Sequence, residues 1–268
     1  MTADAATEVK ATVSAPGYVI SRIPRSRRPV LDRLAGASRR FQVHALVELD
    51  VSEAAARIAQ SESRVSWTGF LIATLGRAVA QHPDVNSRKT GNRILTFDRV
   101  DIAATIERHW EDRTILDIAT VRDADRMAAP AVSAMLRETK YGPGESHRLH
   151  GMMRPVLHLP GPLRRTAIRL AGTRPSIAAG FGPAVGVTSL GMFTRGWGWA
   201  IPLAPLTVIL TVGRVVDRPV VRDGQVVVRP MLPVTLSVDH AVIDGAPAAR
   251  FAETLRELVE SAAVLEDA

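Results

Sequence analysis

Near the C-terminus a strand-like run passes directly into an amphipathic helix, and the junction carries a histidine and an aspartate. Residues 231–238 are apolar and β-branched with alternating polar residues, which is typical of a buried strand. Residues 246–260 repeat apolar residues at helical spacing and have a proline in the first turn. His240 and Asp244 lie between them. Such a junction holds a side chain still and accessible, as a general base requires.

Taken alone, this junction allows two interpretations. His240 is either a general base or an ordinary core histidine, and Asp244 is well placed to be only the N-cap of the helix. A bare His-x-x-x-Asp-Gly pattern does not distinguish these interpretations. The residues around it and several segments upstream favour the general base.

Five segments resemble one protein family in the same order. Residues 236–251 (LSVDHAVIDGAPAARF) resemble the active-site segment of the acyltransferase component of 2-oxo acid dehydrogenase complexes, which shares its fold with chloramphenicol acetyltransferase. Residues 187–193 (VTSLGMF) resemble the family's strand and turn with a catalytic hydroxyl, and residues 201–215 follow as in the family. Residues 82–86 (HPDVN) and 97–102 (FDRVDI) match two more segments. The chain is therefore identified by resemblance as a member of this family.

The resemblance implies roles for particular side chains. His240 would be the general base, and Thr188, 52 residues earlier, would donate a hydrogen bond to the oxyanion. Ser189 is the alternative donor, because strand alternation sends only one of the two to the site. Asp244 would brace the histidine loop through an ion pair with an N-terminal arginine, and Arg27 aligns best with that position.

The resemblance also implies substrates and partners. Coenzyme A, as acyl-CoA, would bind, and Asn86 would shape the substrate entrance. The acceptor could be a thiol, a hydroxyl or an amine. Lys10 has only nine residues before it, too few for a lipoyl domain, so no lipoyl group is expected on this chain. We therefore expect a free-standing acyltransferase that receives its acyl group from a lipoyl or other acyl-carrier protein in trans. The alternative is a catalytically silent scaffold for a dehydrogenase complex, but His240 and Asp244 are both retained.

Composition excludes several chemistries. The chain has no cysteine, so disulfides, thiolate catalysis and cysteine-bound metals are excluded, and its histidines show no metal-ligand spacing. A Gly-x-Ser-x-Gly elbow is also absent, which favours direct transfer in a ternary complex over a covalent acyl-enzyme.

The formal charge of +7 comes almost entirely from arginine, with a dense cluster at residues 22–40. That cluster could contact nucleic acid, contact the phosphates of coenzyme A or simply form a solvated helix face. No aromatic residue interleaves it and no nucleic-acid motif is present, which argues against nucleic acid. The first twenty residues lack the features of a signal peptide. Residues 199–216 are apolar but are interrupted by Pro202 and Pro205, so we interpret them as a buried strand and not a membrane span. A cytoplasmic protein is expected.

Strand and helix patterns mix without strict βαβ alternation, which predicts an α+β fold. With the resemblance, this becomes a chloramphenicol acetyltransferase-like two-layer domain with a mixed β-sheet packed by helices. Residues 1–20 are expected to be a disordered tail, and residues 21–268 a single catalytic domain with an atypical insertion at about 141–182. The basic helix predicted in that insertion, around residues 163–171, either packs on its own domain or contacts a partner or a membrane.

The resemblance further implies a closed homotrimer with its active site in a channel between neighbours, and a larger cubic core as the second option. The apolar positions Leu206, Val208 and Leu210 are expected to belong to strands that form the trimer.

Overall fold

A mixed seven-stranded sheet is the centre of the fold in the computed structural model, which describes residues 11–15, 17–21, 23, 27–110, 113–140, 159–191, 196 and 198–266. In chain order the strands are β1 (Ala11–Ala15), β2 (Tyr18–Ser21), β3 (Gln42–Asp50), β4 (Ser87–Thr90), β5 (Arg93–Thr96), β6 (Ile102–Trp110), β7 (Arg113–Val121), β8 (Val185–Ser189), β9 (Val208–Val212), β10 (Val216–Arg222) and β11 (Gln225–Asp239).

The large sheet has the order β10-β11-β9-β8-β6-β7, and β3 pairs with the other edge of β11. Strands β6, β8 and β9 run parallel to one another, and the remaining pairs are antiparallel. Two small hairpins, β1–β2 and β4–β5, lie outside this sheet. The long strand β11 is therefore the hub of the fold, because it pairs with three other strands.

The α-helices of the described residues are α1 (Arg28–Ala37), α2 (Ser52–Gln60), α3 (Trp67–Gln81), α4 (Ala129–Thr139), α5 (Gly161–Ala171), α6 (Pro175–Ala179) and α7 (Gly245–Glu260). Helices α2, α3, α4 and α7 pack against the large sheet. The central helix α3 begins where the Ser66 hydroxyl accepts the N–H of Gly69. A Cβ on Gly69 would lie 2.1 Å from the Ser133 hydroxyl of α4, so glycine permits this close helix contact.

Strand alternation divides the side chains of β11 between two faces. Val234, Leu236 and Val238 join the helix-covered hydrophobic core, whereas Ser237 and Asp239 point to the opposite face. The predicted α+β class, with a mixed sheet packed by helices, is confirmed.

The structure corrects three expectations. The prediction of a disordered tail at residues 1–20 is wrong for β1 and the start of β2, because their β-branched and aromatic residues pair across a turn at Gly17, whose φ is +92°; residues 1–10 lie outside the described residues. Val208 and Leu210 are buried in the chain's own core and do not form a trimer surface. The apolar stretch 199–216 becomes regular strand only from Val208 onward.

The atypical region is partly described. Its residues 141–158 lie outside the described part, and α5 packs on its own domain through an ion pair between Arg164 and Asp32 of α1. Of the helices described, none is long and apolar enough to cross a membrane.

Candidate active site

His240 is the first residue after β11, at the start of a tight turn. Its backbone N–H donates to the Phe41 carbonyl at 2.7 Å, and the N–H groups of Val242 and Ile243 donate to the Asp239 carbonyl at 2.9 and 3.1 Å. The His240 side chain is 47% exposed. The backbone thus fixes the turn while the imidazole stays accessible, which is what proton transfer to a substrate needs.

A buried carboxylate braces the same turn from the other side. One oxygen of Asp239 accepts from Nη1 of Arg40 at 2.6 Å, and the other accepts the backbone N–H of Ala241 at 3.1 Å. The Asp239 side chain is only 3% exposed. The carboxylate therefore joins the segment before β3 to the residue that follows His240.

The predicted ion pair between Asp244 and Arg27 does not form in the described part of the chain. Asp244 occupies the N-cap position of α7 without a side-chain capping bond, and its side chain is 87% exposed. Its Oδ1 lies 3.7 Å from Nδ1 of His240, and Arg27 is exposed. The bracing pair is Arg40–Asp239, because Asp239 ends a buried strand whereas Asp244 lies at the exposed start of α7.

Thr188 and Ser189 lie on opposite faces of β8, as alternation requires. Ser189 stands in register with Val212, on the core side, whereas Thr188 stands in register with Thr211 on the other face. Thr211 pairs in turn with Thr235 of β11, five residues before His240. At about 3.4 Å per strand residue this separation is about 17 Å. The structure therefore does not bring Thr188 and His240 together within one chain.

Thr188, Thr211 and Thr235 form a row across three neighbouring strands, and the sequence analysis did not identify the last two. The side-chain oxygens of Thr211 and Thr235 are buried without a hydrogen-bond partner. Thr211 also lines a cavity of about 250 Å³ with Leu190 and Trp199, beside the end of β8. In the sequence, Thr211 is recognisable only as the single threonine within the apolar strand β9. The strand register is needed to show that it neighbours Thr188.

Asn86 is buried and bonded to backbone. Its side-chain nitrogen donates to the carbonyls of Phe97 and Arg99 at 3.0 and 2.8 Å, which closes the base of the β4–β5 hairpin. The residue also lines a cavity of about 420 Å³. Its amide donors are thus committed to the fold.

Arg88 of β4 connects the β4–β5 hairpin to residues 178–183, at the end of the atypical region. Its guanidinium donates to the carbonyls of Ala178, Gly182 and Pro183 at 2.6–2.8 Å. Burial, with a further contribution from the charge of nearby Arg40, lowers the pKa of Arg88 to about 10.

Among the described residues, no group of three or more acidic or histidine side chains could hold a metal ion.

Comparisons with known proteins show which family this chain belongs to. A sequence model of the 2-oxoacid dehydrogenases acyltransferase (catalytic domain) matches residues 34–141 and 181–266. The lipoamide acyltransferase component of the branched-chain alpha-keto acid dehydrogenase complex of Pseudomonas putida is 30% identical over 247 residues. That match covers 89% of this chain but 52% of the Pseudomonas protein, so the chain spans about half the length of this curated relative.

Solved structures show the same fold. A probable dihydrolipoamide acetyltransferase from Listeria monocytogenes superposes with a TM-score of 0.65 at 20% identity, over 92% of this chain and 97% of that one. The cubic core of a pyruvate dehydrogenase multienzyme complex superposes with a TM-score of 0.66 at 22% identity, over 92% and 94% of the two chains. The chain belongs to the family of 2-oxoacid dehydrogenase acyltransferase catalytic domains.

Proposed function

We propose that this chain transfers an acyl group between a lipoyl thiol and coenzyme A, with His240 as the general base. The observation that carries the proposal is an accessible imidazole on a turn braced by Asp239, in a chain of an acyltransferase family. The Pseudomonas relative is named as a component of a dehydrogenase complex. That name favours a complex component over the free-standing enzyme that the sequence suggested. The cytoplasmic location stays a prediction.

In the proposed reaction, the neutral His240 imidazole removes the proton of the coenzyme A thiol. The thiolate attacks the carbonyl carbon of the acylated lipoyl thioester, and the Thr188 hydroxyl donates a hydrogen bond to the resulting oxyanion. Collapse of the tetrahedral intermediate breaks the bond to the lipoyl sulfur, which takes the proton back from the imidazolium. The reverse reaction uses the same groups.

This scheme requires a second copy of the chain. Because Thr188 and His240 are about 17 Å apart along the sheet of one chain, we propose a homotrimer in which a neighbour supplies Thr188. A larger cubic core, as in the solved pyruvate dehydrogenase assembly, is the second option.

Roles for the other predicted site residues follow from their positions. Asp244, 3.7 Å from the His240 ring, would orient the imidazole electrostatically, and the exposed Arg27 would contact a coenzyme A phosphate. Ser189 would support β8 from its core side. Asn86 would shape the substrate entrance only through the hairpin that it closes.

The test measures acyl transfer from a panel of acyl-CoA thioesters to dihydrolipoamide. His240→Ala should lower kcat by roughly 10² to 10⁴-fold while the circular dichroism spectrum is unchanged. Mixing His240→Ala with Thr188→Val, each inactive alone, should restore activity at about a quarter of the interfaces under random exchange in a closed ring.

Full activity of His240→Ala would refute the assigned base. Folded wild-type protein without any transfer activity would support the silent scaffold instead. An active monomer by light scattering, or no recovery in mixed oligomers whose exchange is verified, would refute the shared site.

A further inference from the structure

Charge is distributed unevenly along this chain. Residues 146–216 contain eight arginines and no aspartate or glutamate. The whole chain has 34 basic and 27 acidic residues, so 26 basic and 27 acidic residues remain outside this run. The entire positive excess therefore lies within the run. Its part at 146–180 falls between the two segments that the family model matches, so this part of the charge is a property of this chain beyond the shared domain.

Helix α5 presents this charge on a fixed support. Arg164 and Asp32 are both nearly fully buried, with contacts of 2.5 Å from Nε and 3.2 Å from Nη2. Nη1 of Arg164 also donates to the Leu159 carbonyl at 3.0 Å, at the beginning of the helix. The hydrogen bond to Asp32 raises the pKa of Arg164. These contacts fix which face of α5 points outward.

The outward face of α5 has two parallel ridges, which we call the α5 face. Leu163 and Leu170, seven residues apart, form an apolar ridge and are 60% and 62% exposed. Arg165 and Arg169, four residues apart and both exposed, form a basic ridge on the other side of the exposed Thr166. Asp32 also contacts Nε of Arg165 at 3.3 Å, but this one carboxylate already serves Arg164, so the α5 face keeps a net positive charge.

We propose that the α5 face docks an acidic amphipathic helix of a partner protein. Carboxylates on that helix would pair with Arg165 and Arg169, and its apolar residues would cover Leu163 and Leu170. A protein helix fits better than a membrane surface, because membrane binding at an interface requires a broad apolar face. Here the exposed Thr166 interrupts an apolar ridge of only two leucines.

The test uses a labelled helical peptide with glutamates spaced four apart beside leucines spaced seven apart. Fluorescence anisotropy compares this peptide with a scrambled peptide of the same composition, and flotation measures binding to phosphatidylcholine–phosphatidylserine vesicles. Wild-type protein should bind the patterned peptide roughly tenfold more tightly than the scrambled one. The double variant Arg165→Glu/Arg169→Glu should lose this preference, and Leu163→Ser/Leu170→Ser should weaken it.

The matched control is Arg64→Glu/Arg126→Glu, which makes the same charge change at two exposed positions outside α5. It should keep the preference for the patterned peptide. Equal binding of the two peptides, an equal loss in the control, or stronger binding to vesicles would overturn the proposal. A change of oligomeric mass in the α5 variant would also overturn it, because the α5 face would then be covered by a second copy.

Discussion

Two Arg–Asp pairs with buried carboxylates have similar chemistry and different surroundings in this molecule. Arg40 and Asp239 meet at the end of the central strand β11, beside His240. Arg164 and Asp32 meet where α5 packs on α1, in the region between the two family matches. In the first pair the second carboxylate oxygen holds the backbone of the turn, whereas in the second pair it contacts another arginine.

This difference shows that the functional effect of an ion pair depends on which part of the fold it holds in place. Attraction between the two charges is largely offset by the cost of removing them from water. The Arg40–Asp239 pair restricts the turn that carries His240, so we expect it to affect catalysis. The Arg164–Asp32 pair orients a peripheral helix, so we expect it to affect the α5 face alone.

The largest expected effect is that of Asp239→Asn. The amide can still accept the N–H of Ala241, but Arg40 loses its counter-ion, which should lower the free energy of unfolding by about 3 kcal/mol. The loosened turn should also lower kcat by about tenfold, with little change in KM for coenzyme A. Urea titration and the dihydrolipoamide assay measure both quantities. Wild-type kcat in the folded variant would show that the brace only stabilises the fold.

A smaller effect is expected from Asp32→Asn, which leaves Arg164 buried without a counter-ion. Because α5 is peripheral, it can open locally, and this opening should limit the loss to about 2 kcal/mol. Hydrogen exchange should increase in the amides of α5, while kcat stays at the wild-type value. A drop in kcat equal to that of Asp239→Asn would remove the distinction between the two pairs.

The smallest effect is expected from Asp244→Asn. Its side chain is 87% exposed and its contact with His240 spans 3.7 Å, so stability should change by about 0–1 kcal/mol. The change in kcat should be less than that of Asp239→Asn. Thermal unfolding and the transfer assay test this order. A larger loss for Asp244→Asn would show that assembly buries this carboxylate and makes it the principal brace.

Much of the fold follows from local pattern. The helix that Ser66 caps, the strand that ends at Asp50 and the hairpin turn at Asp223–Gly224 each depend on residues close together in the chain, because capping, alternation and positive φ are properties of short segments. The β1–β2 hairpin was missed because its small and polar flanks suggested disorder.

The pairing of the strands could not be predicted from local sequence patterns. Sequence periodicity does not tell which strands become neighbours, so the parallel arrangement of β6, β8 and β9 and the row from Thr188 through Thr211 were not predictable. The same limit applies to Val208 and Leu210. An apolar strand has the same pattern whether it faces its own core or another subunit.

By itself, the sequence determined the α+β class, the family and the position of His240 on a strand-to-helix junction, since each depends on residues close together in the chain. Only the tertiary structure decided that Asp239, and not Asp244, holds that junction. Its partner Arg40 is 199 residues away, and the pair exists because the end of β11 and the start of β3 meet in one sheet. The structure also separated Thr188 from His240, because register sets distances along a sheet that spacing in sequence does not.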